Sequence, residues 1–410
     1  MSARQRLRIA ALSVAIAAFA AASGSALAER KYDTGASDTE IKIGNTTPYS
    51  GPASAYGVIG KTEAAYFRMI NDKGGINGRK INFISYDDAY SPPKTVEQTR
   101  KLVESDEVLF IFNALGTATQ TAVQKYMNGK KAPQLFVASG ASKWNDPKQF
   151  PWTMGWQPSY RVEARIFAKY ILKTRPDARV AVFYANDDFG RDYVSGLKDI
   201  FGDRWSEIVA AQESYENSEP SIDSHIVKLK DSGADVLVNI STPKFAAQAI
   251  KKAAEIGWKP MQLLTNVSIS TGAVMKPAGL AASEGVLSAG YLKDASDPRW
   301  TDDEGMKAAR AFADKYMPGA NLSDTHVIYG FAVSQILEQV LRQCGDDLTR
   351  ENVMKQAASL KDFVPSTLMP GIKVNTGAAD FAPIEQLRMM QFKNGQWVFF
   401  GDTISAATGG

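Results

Sequence analysis

The sequence predicts an α/β protein built as two lobes, each a doubly wound parallel sheet, joined by a hinge that the chain crosses several times. Three observations predict it. Short apolar strands alternate with single amphipathic helices from Ile41 onward. Those strands are near-continuously apolar, as strands covered on both faces must be. A second series of the same kind begins after Gly155 with no low-complexity linker between the two, which favours interleaved lobes over beads on a string.

In the first series, Ile41–Thr47 is a strand, and Tyr56–Asn71 is a helix with Val58, Ala65, Met69 and Ile70 recurring on one face. Gly74-Gly75 ends that helix and Asn77-Gly78 marks a tight turn. Ile81–Tyr86 is the next strand. Ser91-Pro92-Pro93 opens a helix, with serine suited to the cap and proline to the first turn. Strand Val108–Phe112, helix Thr119–Asn128 and strand Gln134–Ala138 follow.

The second series runs helix Arg161–Lys173, strand Arg179–Tyr184 and a helix marked by Tyr193, Leu197 and Phe201. It continues with a helix to Lys230, strand Asp235–Ile240, helix Phe245–Ile256 and strand Met261–Thr265. A strand near Gly285–Ala289 and the helix Tyr329–Arg342 read as a return to the first lobe. Arg388–Phe392 and Trp397–Phe400, joined by Asn394-Gly395, read as a hairpin on the second lobe. The expected lobes are 37–154 plus 288–372, and 155–287 plus 385–405.

The first 28 residues predict an export signal. Arg4, Arg6 and Arg8 precede an apolar stretch from Ile9 to Ala22, and Ala26-Leu27-Ala28 is a cleavage-type ending. The alternative, a membrane anchor, has too short and alanine-rich a core. A lipoprotein would need cysteine after the cleavage point, but Glu29 follows and the single cysteine is Cys344. The expected location is the periplasm, untethered. Losing Arg4, Arg6 and Arg8 takes 47 basic residues to 44, equal to the 44 acidic ones. That balance gives no electrostatic case for nucleic acid. One cysteine and two histidines predict no internal disulfide and no metal site.

The motifs give an enzyme no support. The first strand leads into Gly44-Asn45-Thr46-Thr47, not a glycine-rich phosphate turn, so a dinucleotide enzyme lacks its cradle. No Gly-x-Ser-x-Gly elbow occurs. No cofactor and no catalytic residue are expected.

Ser50-Gly51-Pro52, Gly74-Gly75-Ile76-Asn77-Gly78-Arg79, Tyr86-Asp87-Asp88, Gly116-Thr117-Ala118-Thr119-Gln120 and Asp188-Phe189-Gly190, in this order, resemble the leucine/isoleucine/valine-binding protein family of periplasmic receptors. The resemblance implies a clamshell of type I periplasmic-binding (Venus-flytrap) fold that closes on a small molecule. It implies a monomer that delivers the ligand to the transmembrane permease of an ABC importer, driven by cytoplasmic ATPases. A ligand-sensing receptor is the alternative of another class, since one fold serves both.

Carried over by position, the resemblance makes Tyr56 a cleft aromatic and places Gly116 and Thr117 at a carboxylate loop. Ser139, Ala141 and Ser142 fall at a second such loop, where the two serines could equally be helix caps. Phe189 matches an aromatic on the facing lobe, Thr242 lies near another, and His326 stands where amino-acid binders carry an aromatic. Trp156, at the junction of the two series, serves either hinge packing or the cavity wall. Asp87-Asp88 reads as a turn and capping element. Tyr90 and Leu115 occupy the places of a disulfide found in some members. Amino-acid binders also hold the ligand's ammonium with an acid after the strand that here ends at Thr265. This chain has Asn266-Val267-Ser268-Ile269-Ser270 instead. A buried ammonium without a counter-charge is costly, so the expected ligand is an organic carboxylate, aromatic or hydrophobic, with a branched-chain or other amino acid as the alternative.

Overall fold

The computed structural model describes residues 30–405. The export signal and its cleavage point lie outside them. Two sheets carry the fold. The first has five parallel strands in the order Lys80–Asp87, Glu40–Thr47, Phe110–Phe112, Gln134–Val137, Thr153–Gly155. The second has seven, in the order Gln396–Ser405, Gln386–Lys393, Leu287–Gly290, Met261–Leu264, Val236–Ile240, Val180–Ala185, Val209–Tyr215. Its first two strands are an antiparallel hairpin and the rest are parallel.

Without the hairpin, both sheets have the order 2-1-3-4-5 by chain position, a doubly wound arrangement. Each reverses direction between its first and third strand. In the first sheet that point lies between Glu40–Thr47 and Phe110–Phe112; in the second it lies between Val180–Ala185 and Val236–Ile240. Helices whose starts face a reversal point can present free N–H groups to a ligand.

The apolar runs become cores. Ile43, Phe110, Phe112 and Leu135 are fully buried in the first sheet, as are Val180, Val182, Val236 and Val238 in the second. Helix Gly57–Asp72 is held against helix Thr325–Cys344 by Tyr66, whose ring meets Phe331 at 5.4 Å and whose hydroxyl donates to Glu338 at 2.6 Å. The residues from Thr325 to Cys344 thus complete the first lobe although they follow the second in sequence.

The chain crosses between lobes three times, after Gly155, after Gly290 and before Gln386. The second crossing differs from expectation. Strand Leu287–Gly290 pairs with Leu263 on one side and with Arg388–Gln391 on the other, so it belongs to the second sheet and the return begins only beyond it. Two strands of these two sheets escaped the sequence reading, as did the short pair Lys31–Tyr32 and Asp347–Leu348 outside them. Val209–Tyr215 is an edge strand with Gln212, Glu213 and Ser214 on a partly solvated surface, which masks its pattern. Thr153–Gly155 spans only three residues. The hairpin lies where expected, and its turn residues Asn394 and Gly395 have φ of 52° and 81°, the left-handed pair that a two-residue turn demands.

Candidate functional site

The strands of both sheets end at one cavity, part of it open to solvent. Nearly every wall residue follows the carboxyl end of a parallel strand. Gly116 and Thr117 come after Phe110–Phe112, Phe189 after Val180–Ala185, Thr242 after Val236–Ile240, and Asn266 after Met261–Leu264. Both reversal points therefore face the same space.

One end of the cavity is set by Gly116. Its φ of 109° and ψ of 151° lie in a region that essentially only glycine enters. A Cβ there would stand 2.5 Å from Thr119 Oγ1 and 2.5 Å from the ring of Tyr90. The glycine lets helix Thr117–Gly129 begin against the cavity with no side chain capping it. Its first N–H groups have no intrahelical acceptor, and the helix dipole adds partial positive charge. Thr117 Oγ1 lies 2.7 Å from Ser139 Oγ.

His326 lies in the first turn of helix Thr325–Cys344, whose N-cap is Asp324. It is buried, and its ring meets Tyr56 edge-on at 5.0 Å. Burial opposes charge on the imidazole. The Asp324 carboxylate, 2.8 Å from Nδ1, outweighs it and raises the histidine above its ordinary value. Asp324 is itself held below the usual range: burial works against its charge, but His326 and the Ser270 hydroxyl prevail.

On the facing lobe, Phe189 packs edge-on to Tyr160 at 4.9 Å, and Tyr160 stacks on Tyr193. Thr242, at the cap of helix Pro243–Glu255, gives its backbone N–H to the Tyr215 hydroxyl at 2.9 Å. Tyr90, Tyr160, Tyr291 and Tyr329 complete an aromatic wall. That wall includes no Asp, Glu, Lys or Arg.

Of the residues named from sequence, Tyr56, Gly116, Thr117, Phe189, Thr242, Asn266 and His326 come together here. Four do not line the cavity. Ser139 is buried one layer behind, between Thr117 and the Trp144 indole N–H, which donates to its Oγ at 2.8 Å. Ala141 and Ser142 border a separate hollow formed with residues 381–385. Ser142 has turned toward the other lobe, giving its N–H to Asp192 at 2.7 Å and its hydroxyl at 2.8 Å. Trp156 is fully buried behind the wall, packed against Phe136, Tyr291 and Tyr329 at about 6.4–6.5 Å. Beside Ser142, Lys143 reaches across to Asp188 at 2.7 Å. These two contacts clasp helix Asp188–Phe201 of the second lobe to a loop of the first.

Asp87 and Asp88 serve as turn and capping groups. Asp87 accepts from the backbone N–H of Tyr49, Ser50 and Ala89, and Asp88 from Tyr90 N–H and the Thr95 hydroxyl. The tyrosines at 90, 160, 291 and 329 escaped the sequence reading as wall residues. Tyr90 and Leu115, which the resemblance put at the places of a disulfide, both line the cavity.

The sequence profile of the periplasmic binding protein family matches residues 40–396. The Leu/Ile/Val-binding protein homolog 1 of Brucella abortus (strain 2308) is 27% identical over 354 residues, covering 83% of this chain and 88% of the relative. Among solved structures, a branched-chain amino acid ABC transporter protein from Thermus thermophilus with bound valine superposes with a TM-score of 0.82 at 18% identity, covering 91% of this chain and 98% of that one. A fatty acid ABC transporter substrate-binding protein from Thermomonospora curvata gives 0.76 at 19% identity, covering 92% and 95%. Two doubly wound lobes around one cavity, with a profile match over nearly all of the described residues, lead to one assignment: the chain belongs to the periplasmic binding protein family.

Proposed function

We propose that the chain is the solute-binding component of an ABC importer, exported to the periplasm, where it holds a small carboxylate with an aromatic or hydrophobic body and hands it to the membrane permease. It acts as a carrier and not as an enzyme. One observation carries the ligand class: an uncapped helix start and a histidine with raised pKa face a largely apolar, tyrosine-rich cavity whose wall has no acidic side chain. A carboxylate gains from the helix N–H groups, and an ammonium finds no carboxylate on the wall. The Thermomonospora relative, a fatty acid carrier, supports a hydrophobic acid. Among the described residues no helix is long and apolar enough to cross a membrane.

The ligand enters the open form and contacts one lobe. Phe189 and Thr242 then meet it from the other, and the Ser142–Asp192 and Lys143–Asp188 clasps form as the lobes shut. Ligand shifts this equilibrium by binding the closed form better.

A second reading, a branched-chain amino acid ligand, is favoured by the valine-bound Thermus structure and the Brucella relative. A thermal-shift screen of aliphatic and aromatic acids against leucine, isoleucine and valine separates the two, because a ligand raises the melting temperature by mass action. Stabilisation by the amino acids alone would overturn the organic-acid reading. Conversion of any hit into a product would overturn the carrier reading.

A further inference from the structure

Helix Thr325–Cys344 belongs to the first lobe. The turn Asn266–Ser268 and the segment Thr271–Met275 belong to the second, where both pack on helix Pro243–Glu255. These parts of the two lobes meet beside the cavity. The Ser270 hydroxyl donates to Asp324 Oδ1 at 2.8 Å, and the Gly272 N–H donates to the Ser323 carbonyl at 3.3 Å. The approach is so close that a Cβ on Gly272 would stand 2.7 Å from Asn321 Nδ2. His326 completes the junction. Its Nε2 lies 3.4 Å from the Val267 carbonyl oxygen, and its Nδ1 lies 2.8 Å from Asp324 Oδ1.

Both ring nitrogens thus face oxygens that only accept. A backbone carbonyl has no proton to give. Burial opposes the charge on Asp324, but His326 and the Ser270 hydroxyl keep it ionised. A neutral imidazole has one N–H and one lone pair, so in either tautomer a lone pair is set against an acceptor. The imidazolium has a proton for each. The Asp324 contact favours the charged ring as well: it is short but off the N–H axis, an ion contact and not an aligned hydrogen bond. No other charged group competes among the described residues. Tyr56, edge-on at 5.0 Å, is kept neutral by burial, positions 266–275 carry no charged side chain, and the cavity wall holds no Asp, Glu, Lys or Arg. When the lobes part, water can serve either state of the ring, and the demand for a second proton lapses.

We propose that Asp324 and His326 form a proton-operated latch between the lobes: the charged imidazole holds residues 267–272 of the second lobe to the amino end of helix Thr325–Cys344 of the first, and loss of the proton loosens it. The joined lobes bind this proton more tightly than parted ones, so by linkage acid favours joining and alkali favours parting. The inference goes beyond the choice of ligand, since neither the latch nor its proton depends on what the cavity holds.

The test uses the full mature chain without ligand. The sequence has two histidines, so ring NMR of His225→Gln reports His326 alone. Its midpoint should lie above the ordinary histidine value and fall back in Asp324→Asn. Hydrogen exchange of residues 267–275, corrected for the intrinsic effect of pH, reads the second lobe's side of the junction. Protection there should drop roughly two- to tenfold as His326 loses its proton, the worth of one net hydrogen bond. His326→Gln should remove this dependence. Ser270→Ala, which leaves the ring and Asp324 in place, should lower protection at every pH. A ring midpoint at or below the ordinary value overturns the proposal. So does protection of 267–275 that ignores the ring's titration, or a dependence that survives in His326→Gln. Because no ligand enters either measurement, failure of the latch leaves the ligand reading untouched, and failure of the ligand reading leaves the latch.

Discussion

Replacing Asp192 with alanine removes the clasp that joins Ser142 to the second lobe. Asp192 accepts both the backbone N–H and the hydroxyl of Ser142, at 2.7 and 2.8 Å. Hydrogen bonds to a charged group contribute about 1.5–3 kcal/mol each when shielded. This clasp is near the surface, so about 1–2 kcal/mol for the pair is the discounted figure. The neighbouring Lys143–Asp188 pair, with side chains 32% and 41% exposed, adds at most about 1 kcal/mol and is left in place. If the clasp exists only in the closed form, its loss shifts the hinge equilibrium by that amount and raises Kd by about 5–30-fold. The change should fall mainly on the dissociation rate, because the clasp forms after the ligand has entered. Stopped-flow binding of the best acid from the screen gives both rates, and small-angle scattering gives the compaction. An unchanged Kd together with normal ligand-induced compaction would refute the argument that this contact holds the lobes shut.

Gly116→Ala should weaken binding at least about tenfold and lower stability by about 1–3 kcal/mol, because φ of 109° is strained for alanine and Tyr90 leaves no room for a Cβ; titration and thermal melts read the two effects. The His326–Asp324 pair makes its contribution below the ordinary histidine pKa and loses it as pH rises through the raised one. Stability and acid binding should therefore decline across that window in the wild type and stay flatter in His326→Gln, by melts and titrations at stepped pH. Burial pushes Glu163 up to about 8, against hydrogen bonds from Tyr193 and Asn266 that pull it down. Between its ordinary value near 4.5 and about 8 the folded chain holds a proton that the unfolded chain releases, so stability falls as pH rises through that range. In denaturant titrations Glu163→Gln should lose this part of the slope, while His326→Gln retains it.

The architecture was legible because the strands that build both sheets are buried on both faces, so runs such as Val180–Tyr184 carry their assignment in composition alone. Val209–Tyr215 was not, since an edge strand keeps polar residues on a wetted side. The site was legible where a wall residue directly follows a strand, as Gly116, Phe189 and Asn266 do. It was not legible where the wall is supplied from a crossing segment or a distant helix. Tyr329 comes from a helix of the first lobe, and nothing near it in sequence places it at the cavity; Tyr291 directly follows strand Leu287–Gly290, but that strand read as part of the return to the first lobe. Ser142 shows the reverse failure: its loop is where expected, but the nearby Asp192 of the other lobe takes both of its donors. Glu163 was invisible for a similar reason, since its partner Asn266 lies a hundred residues further along the chain.

The hairpin Gln386–Ser405 has a consequence for how the protein is made. Strand Leu287–Gly290 has its outer edge covered only by this hairpin, and the Leu287 and Ala289 side chains are buried in the finished sheet. A chain emerging from its amino end must deliver everything from Tyr291 to Glu385 before that edge is sealed. Until then the second sheet has an open margin of unpaired amides, and the hinge lacks its third strap. Assembly of the two halves is thereby tied to the arrival of the last segment, so a truncated product ending before Gln386 would be left with a sticky, unfinished sheet and no working clamshell.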